Sequence, residues 1–299
     1  MLAAVVLLTF MIVRWVPGDP ARNILGLTAG PAQVAQVRQE LGLTNSIWQQ
    51  FGHYISGLAR GDLGRSFVNQ QPIAQMIGQR LSLTAELAIS ALVVVLVIGF
   101  PLGILAGWLQ HHGRARGFGF GVATGSSLAG ALPEYITGTL LIFVFALTLR
   151  VLPVQGGPGF TGMALPALAV GLAPAAVFTR LVRNETVSVL SQEYIATAMS
   201  KRLPGIRLIL RHVLPNVATS TLTLGGLLLV ALLGGTVITE NVFNISGLGT
   251  GIVQAIVHDD YPAVQGILLV LAVIAVVINL SVDITLGLLD PRVLSKRPS

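Results

Sequence analysis

The amino-acid sequence predicts an all-α polytopic membrane protein with six transmembrane helices. Only 10% of the 299 residues are charged and 53% are hydrophobic, whereas a soluble domain normally carries about 25% charged residues. The charges are also segregated, since no Lys or Arg occurs from residue 212 to residue 291. Apolar runs of this length are typical of membrane spans.

The first predicted span covers residues 1–16. At 1.5 Å per residue it reaches only about 24 Å across a hydrocarbon core of about 30 Å. We therefore expect a span that is N-terminally truncated, with the natural protein beginning upstream in a basic segment. A signal peptide is the alternative, but no basic region precedes the apolar run and Pro17-Gly18-Asp19-Pro20 replaces a small-residue cleavage site.

An extracytoplasmic segment is predicted over residues 17–83 and a transmembrane domain over residues 84–291. The other five spans are expected near residues 84–109, 118–149, 163–182, 217–239 and 263–289. Leu132-Pro133 is expected to break the span over 118–149, because proline removes a backbone donor and clashes with the preceding turn. A cytoplasmic tail of residues 292–299 follows.

The net charge of +6 indicates topology rather than nucleic-acid binding, because the bases cluster in short loops on one side. Eleven of the 18 Lys and Arg residues mark this side as cytoplasmic: Arg114, Arg116, Arg180, Arg183, Lys201, Arg202, Arg207, Arg211, Arg292, Lys296 and Arg297. With six spans, both termini are then cytoplasmic, and we expect a multi-pass protein of the inner cell membrane.

The sequence lacks the residues of several kinds of active site. It has no Cys, which excludes disulfides, thiolate chemistry and Cys-bound metals. A nucleotide-binding P-loop needs Lys followed by Ser or Thr, but Lys201 precedes Arg202 and Lys296 precedes Arg297. No zinc-protease motif or serine-hydrolase elbow occurs. We therefore expect no enzyme activity and no bound cofactor or metal.

The cytoplasmic stretch from Arg180 to Asn216 is too long and too patterned for a simple connector. Ser191 is placed to cap a short helix that has Glu193 in its first turn. An apolar stripe of this helix is formed by Ile195, Ala198 and Met199, and Pro204-Gly205 ends the run. The pattern predicts an amphipathic helix that docks a partner, or alternatively one that lies on anionic lipid.

The residues of this stretch also resemble a known motif. Glu193-Tyr194-Ile195-Ala196-Thr197-Ala198, followed by Lys201, Arg211-His212 and Leu214-Pro215-Asn216, is similar to the "EAA" coupling loop of ABC-importer permeases. Further short motifs resemble those of the B-type permease subunits of dipeptide, oligopeptide and nickel importers. These landmarks are Pro17-Gly18-Asp19-Pro20, Gly61-Asp62-Leu63-Gly64, Ser66, Glu86-Leu87-Ala88, Leu132-Pro133, Gly138, Gly234-Gly235, Glu240, Phe243, Gly247-Leu248-Gly249, Pro262, Asn279, Asp283 and Asp290-Pro291-Arg292.

The resemblance implies the type I ABC-importer permease fold and a coupling helix between spans four and five. It assigns ATPase coupling to Glu193, Tyr194, Ile195, Ala198, Met199, Lys201, Arg202 and Gly205. One departure is Arg202, which stands where the family usually has glycine. Because arginine does not readily adopt a left-handed turn, the end of the helix is expected to differ from the family's pattern.

The function implied by the resemblance is that of one permease subunit of an ATP-driven importer. It would form half of the translocation path for short peptides delivered by an extracytoplasmic binding protein. The implied partners are a second, homologous permease, two ATPases that use ATP and Mg²⁺, and membrane lipid, without nucleic acid. Dipeptides, oligopeptides, nickel chelates, glutathione and other small solutes all remain open as substrates.

Four acidic residues are candidates for the translocation path or its gate: Glu86, Glu134, Glu240 and Asp283. Ionisable groups in or near spans are costly and are often functional. Capping near the span ends is the alternative for Glu86 and Asp283, and a place at an external helix end is the alternative for Glu134. A proton-coupled secondary transporter is the alternative function, but it would normally need a relay of such groups within the membrane. We expect Gly225-Gly226 and Gly234-Gly235 to permit close helix packing.

Overall fold

The computed structural model describes residues 2–15, 20–26, 29–40, 42–113, 130–201 and 204–289, together with Gly121 and Gly125. Within these residues the chain is almost entirely helical, and its only extended pairing is an isolated bridge between Arg65 and Pro72. Four parts of the predicted cytoplasmic face lie outside the described residues: Arg114, Arg116, Arg202 and the tail of residues 292–299.

The chain divides into two compact units, of which the first contains Met1–Thr84 and Ser246–Val276. Its first four helices are α1 (Leu2–Trp15), α2 (Pro20–Leu25), α3 (Pro31–Glu40) and α4 (Ile47–Ala59). Three more helices contribute to it wholly or in part: α5 (Ile73–His111), which continues into the second unit, α11 (Leu248–Val257) and α12 (Tyr261–Leu289), which also continues into the second unit.

The second unit contains Ala85–Ile245 and Val277–Ser299. Its helices are α6 (Glu134–Leu141), α7 (Phe160–Leu190), α8 (Glu193–Ser200), α9 (Gly205–Leu208) and α10 (Leu214–Val242). Two of them are extended by π-helical turns, since α6 continues as Ile142–Thr148 and α9 continues as Ile209–Val213 into α10.

Four helical segments of the described chain are long and apolar enough to cross a membrane: Ile73–His111, Phe160–Leu190, Gly225–Val242 and Tyr261–Thr285. Two shorter apolar helices are Glu134–Thr148 and Leu248–Val257. The long helices contain or overlap the predicted spans 84–109, 163–182, 217–239 and 263–289, and α5 and α7 extend well past the predicted limits. The predicted break lies at the start of α6, where Pro133 occupies the N-cap position.

The core of the first unit explains why α5 begins at Ile73 rather than near residue 84. Ile73 and Ile77 are buried against Leu248 of α11 and Ile267 of α12. These side chains recur at helical spacing, so the first three turns of α5 have an apolar face of their own. The exposed polar residues Gln75 and Gln79 lie on a different face of the helix.

In the second unit, α5 and α7 pack closely along a row of three glycines. A Cβ atom placed on Gly99, Gly103 or Gly107 would lie 2.6 to 2.7 Å from a side-chain atom of Phe178, Val182 or Thr186, respectively. Glycines four residues apart fall on one face of a helix and allow close backbone approach. This contact brings the C-terminal half of α5 against α7, the helix that leads directly into α8.

Candidate functional site

The predicted coupling helix is α8, and its first turn differs from the sequence expectation. Ser191 was expected to be its N-cap, but Ser191 instead ends α7, where its Oγ donates to the carbonyl of Val187 at 2.9 Å. Gln192 occupies the N-cap position of α8 without a side-chain hydrogen bond. The difference arises because α7 is helical through Leu190. The Ser191 hydroxyl can therefore bond to a carbonyl group in the last turn of that helix.

The apolar stripe of α8 faces the protein's own interior. Ile195 is 0% exposed and Ala198 is 8% exposed, and Met199 packs against the same cluster. This cluster also contains Val189 of α7 and Val213, immediately before α10. The amphipathic pattern predicts that this stripe docks a partner, but these side chains are already covered within the chain.

The outward surface of α8 is therefore built from other residues. The exposed residues of α8 and its C-cap are Glu193, Tyr194, Ala196, Thr197, Ser200 and Lys201. Tyr194 is 47% exposed although its ring is large and mostly apolar. Among the residues assigned to coupling, Glu193, Tyr194 and Lys201 thus lie on the accessible surface, and Arg202 lies outside the described residues.

Gly205, the last of the residues assigned to coupling, begins α9 and packs against α5. A Cβ atom at this position would lie 3.3 Å from the Trp108 ring. Leu208 is 1% exposed and belongs to the same core cluster as Ile195. The residues from α8 to α9 are consequently joined to α5, α7 and α10 through a single apolar cluster.

Glu86 of α5 forms a hydrogen bond to the backbone at the start of α7. Its Oε1 accepts a hydrogen bond of 2.7 Å from the backbone amide of Gly159. Gly159 has a φ of +85° and is the N-cap residue of α7, a backbone conformation that glycine adopts at little cost. A carboxylate at this position is favoured by the positive end of the helix dipole.

Glu134 contacts Thr239, the residue that precedes Glu240 in α10. Thr239 Oγ1 donates to Glu134 Oε1 at 3.4 Å, and Glu134 is half-buried at the start of α6. Glu240 is the next residue of α10 and is 0% exposed. The structure therefore places Glu134 against α10, beside the residue that precedes Glu240. The other two candidates lie elsewhere, Glu86 on α5 and Asp283 on the exposed surface of α12.

The glycine pairs of α10 have different surroundings. Gly226 is buried against Val282 of α12, which is the close packing expected. Gly225 and Gly234 have open space where a side chain would be, and Gly235 has only Glu134 Oε2 near it, 3.9 Å from an added Cβ. Close packing is therefore observed at one of the four glycines.

A polar network in the first unit was not anticipated from the sequence. Asp260, which is 4% exposed, accepts hydrogen bonds from Ser66 Oγ and, at 2.9 Å, from the amide of Phe67. Asp260 had been interpreted only as a charge on the external face. Ser66 had been singled out as a landmark, but nothing in the sequence links it to a residue 194 positions away.

Two residues near the start of α5 form further polar contacts in the same unit. Arg80 donates to the carbonyl of Gly247 at 3.3 Å and to Gln254 at 3.1 Å. Thr84 Oγ1 accepts a hydrogen bond of 2.7 Å from the amide of Leu248, which is the first residue of α11. Together with Asp260, they attach both ends of α11 to the N-terminal part of the chain. Among the described residues, no group of three His, Asp or Glu residues is arranged to hold a metal ion.

Comparison with protein families gives two matches that together cover most of the chain. Residues 99–295 match the binding-protein-dependent transport system inner membrane component family. Residues 1–88 match the N-terminal family of the same membrane components. The boundary between the two matches falls within α5.

Individual relatives are similar along nearly the whole chain. A probable peptide ABC transporter permease, y4tP of Sinorhizobium fredii, is 35% identical over 98% of this chain and 95% of its own length. A putative peptide transport system permease of Brucella suis is 36% identical over 97% of this chain and 93% of its own. The glutathione transport system permease GsiC of Escherichia coli is 36% identical over 96% of this chain and 92% of its own.

A solved structure supports the fold independently. The permease-containing MetNI methionine ABC transporter, in its inward-facing conformation, has a chain that matches with a TM-score of 0.63. The match covers 74% of this chain and 99% of the other at 15% sequence identity. It confirms the predicted all-α polytopic fold of the type I importer permeases. The family matches and the full-length relatives show that this chain belongs to the inner-membrane components of binding-protein-dependent transport systems, as a permease subunit of the ABC class.

Proposed function

We propose that this permease forms one half of the translocation path of an ATP-driven importer of short peptides. The observation that carries the proposal is the 35 to 36% identity, over almost the entire chain, to permeases named for peptide or glutathione transport. Glutathione is itself a modified tripeptide, so the named substrates share one chemical class. A second, homologous permease would provide the other half of the path.

Peptide delivery and ATP hydrolysis are assigned to other subunits. The family description itself refers to dependence on a binding protein, which we place on the extracytoplasmic side. Two ATPase subunits would bind ATP and Mg²⁺ on the cytoplasmic side. This division agrees with the two lysines of the chain, neither of which is followed by Ser or Thr as a P-loop requires.

The outward surface of α8 is the proposed contact for one ATPase. Glu193, Tyr194, Thr197 and Lys201 offer a polar and partly aromatic surface, and aromatic residues are enriched at protein interfaces. The buried residues Ile195 and Ala198 have a different part in this mechanism. They attach α8 to the rest of the permease.

Movement would be transmitted because α8 shares its core with its neighbours. Ile195 is fully buried in a cluster with Val182 and Val189 of α7 and Val217 of α10. Close-packed interiors move as units rather than deform continuously. When the ATPases close around ATP, displacement of α8 would therefore carry α7 and α10 with it and open the path to the outside.

Glu134 is the proposed contact for the peptide inside the path. A carboxylate attracts the α-ammonium group that most peptides carry, and a charge-assisted hydrogen bond to it is stronger than a neutral one. Thr239 would hold the carboxylate in position. We also place both termini in the cytoplasm, because eleven of 18 bases lie in the loops assigned to that side.

The experiment is to co-express the chain with a homologous permease, two ATPases and a binding protein from the same gene cluster, and to reconstitute the purified complex in liposomes. ATPase activity should rise when binding protein loaded with a dipeptide, an oligopeptide or glutathione is added. It should stay at its basal level with unloaded protein. If ATPase activity rises only with binding protein that is loaded with a nickel chelate, the substrate is a nickel chelate and the proposed peptide substrate is wrong.

The proton-coupled alternative predicts a different result in the same liposomes. A secondary transporter would move solute in response to a pH gradient without ATP or a binding protein. The comparisons lend this alternative no support, since the matched relatives are named as subunits of ABC or peptide transport systems. A complex that accumulates peptide from a pH gradient alone would overturn our proposal.

A further inference from the structure

Helix α4 has an unusual composition for a segment expected to lie in water. Its 13 residues, IWQQFGHYISGLA, include no Lys, Arg, Asp or Glu. The helix begins sharply, because Ser46 Oγ accepts from the amide of Gln49 and the Gln49 side chain accepts from the amide of Ser46. By contrast, α3 in the same external segment carries Arg38, Glu40 and three glutamines. Of these two helices, α3 has the composition of a helix that is exposed to water on its outer side, and α4 does not.

The inner face of α4 packs against the predicted first span. The Phe51 ring meets Phe10 of α1 edge to face at a centroid distance of 4.9 Å, and the Tyr54 ring stacks on Phe10 at 5.8 Å. Phe10 is 3% exposed. Aromatic pairs in these geometries contribute about 0.5 to 1.5 kcal/mol beyond their burial. α4 is thus fixed to α1 by a three-ring cluster.

A polar contact joins the same face of α4 to α12. The Tyr54 hydroxyl lies near the side chains of Thr9 and Gln265, although neither it nor Gln265 Nε2 meets full hydrogen-bond geometry with another described atom. Burial raises the pKa of Tyr54 above its usual value, so the hydroxyl stays neutral. α4 consequently contacts two membrane helices, α1 and α12.

The positions of these contacts indicate the depth of α4. Phe10 lies five residues before the end of α1, and Gln265 lies four residues after the start of α12. At 1.5 Å per residue, the contacts are about 6 to 7.5 Å inside the helix ends. Both of those ends are on the external side in the predicted topology. α4 therefore packs at a level between the ends of two spans and their apolar interior.

The outer face of α4 presents an apolar stripe at this depth. Trp48, Gly52, Ile55 and Ala59 follow one another at intervals of four, three and four residues, and all are exposed. Trp48 is 80% exposed and Ile55 is 39% exposed. The exposed polar residues Gln49 and His53 lie on a different side of the helix. Such a stripe, next to a chargeless surface, matches the acyl-chain boundary of a bilayer rather than bulk water.

We propose that α4 is an interfacial helix that lies in the outer headgroup region of the membrane and inserts Trp48 and Ile55 among the lipids. Tryptophan is enriched at this level because its ring combines an apolar body with one N–H donor. Interfacial helices bury their apolar face about 5 to 10 Å into the headgroup and acyl boundary, which agrees with the depth of the Phe10 and Gln265 contacts. This role is separate from peptide transport and does not depend on which solute is carried.

The chain's lack of cysteine allows a direct test. Single cysteines would be introduced as W48C, I55C and A59C on the stripe and as Q49C and H53C on the polar side. Each is labelled with a nitroxide in the whole importer complex, reconstituted in phosphatidylcholine and phosphatidylglycerol vesicles. Collision of the label with oxygen, which concentrates in lipid, is compared with collision with a water-soluble nickel chelate. A59C retains both large apolar side chains and therefore reports on the stripe if W48C perturbs the helix.

At positions 48, 55 and 59 we expect oxygen collisions to exceed chelate collisions several-fold, and at 49 and 53 we expect the reverse. Equal access to the chelate at all five positions would overturn the proposal. Labels on the stripe that are open to the chelate until the binding protein is added would also overturn it, and would assign the stripe to that protein. Because the experiment does not measure transport, a result that contradicts the position of α4 would leave the proposed function as a peptide importer unaffected.

Discussion

At the scale of single residues, Glu134 is the group whose chemistry is most directly testable. Glu134→Gln preserves the size of the side chain and an acceptor for Thr239, but removes the charge. If the carboxylate binds the peptide's ammonium group, the loss of a charged hydrogen bond of about 1.5 to 3 kcal/mol should lower peptide uptake at least about tenfold. Uptake would be measured at low peptide concentration in vesicles that contain equal amounts of complex.

Thr239→Val is the matched control for this variant. It removes the hydrogen bond to Glu134 and retains the charge, so its effect on uptake should be smaller. Equal losses in both variants, or normal uptake by Glu134→Gln, would remove Glu134 from the peptide path.

A second residue-scale prediction concerns Asp260. This carboxylate is buried and accepts two hydrogen bonds, from Ser66 Oγ and Phe67 N. Asp260→Ala would leave the Phe67 amide without its acceptor, which costs about 1 to 3 kcal/mol. The melting temperature of the purified complex should fall. The neighbouring Asp259 is only half-buried and has a φ of +52°, a conformation that Asn also tolerates. Asp259→Asn should therefore shift the melting temperature less, and an equal shift would contradict the structural role given to Asp260.

At the scale of helices, the contact between α5 and α7 depends on the lack of side chains at Gly99, Gly103 and Gly107. A Cβ atom at Gly103 would lie 2.8 Å from the carbonyl oxygen of Thr179, and backbone cannot move aside cheaply. Gly103→Ala should destabilise the permease by about 1 to 3 kcal/mol through overpacking. The measurement is the thermal melting of the purified complex.

Gly78 provides the control on the same helix, because an added Cβ there meets nothing within 4 Å. Gly78→Ala should be neutral or should stabilise α5 by up to about 1 kcal/mol, since alanine is the better helix former. Similar losses from both variants would mean that the destabilisation by Gly103→Ala does not come from the α5–α7 contact.

The two faces of α8 lead to opposite predictions. Ile195→Ala removes a fully buried side chain and should cost about 2 to 5 kcal/mol of stability. Tyr194→Ala and Lys201→Ala alter exposed groups, so they should leave the melting temperature within a degree or two but reduce recovery of the ATPase in a pull-down. If the exposed-face variants retain the ATPase fully, α8 is not its contact.

Local patterns in the sequence predicted some features of these helices. Contacts between residues that are distant along the chain could not be predicted. The stripe of Ile195, Ala198 and Met199 was visible from helical spacing, but its partner was not, because an amphipathic pattern does not identify what covers it. The glycines of α5 follow the small-residue spacing that favours close helix contact, and this signal was overlooked in favour of the α10 glycines. The Ser66 to Asp260 hydrogen bond could not be predicted, since neither residue lies in a local pattern that indicates the other.

At the scale of the whole molecule, charge distribution and apolar run length were sufficient to predict a polytopic helical membrane protein. These signals are local in sequence and depend on the bilayer rather than on tertiary contacts. The division of the chain into two units, each built from segments distant in sequence, depends on pairings such as Thr84 with Leu248. Such pairings carry no marker in a single sequence.

The most direct test of the central claim is uptake of a radiolabelled dipeptide into vesicles that contain the complete complex. Uptake should require the binding protein and enclosed ATP with Mg²⁺, should stop when ATP is replaced by a non-hydrolysable analogue, and should be insensitive to a protonophore. Uptake that proceeds without ATP and is abolished by the protonophore would contradict the assignment of this chain as the permease of an ATP-driven peptide importer.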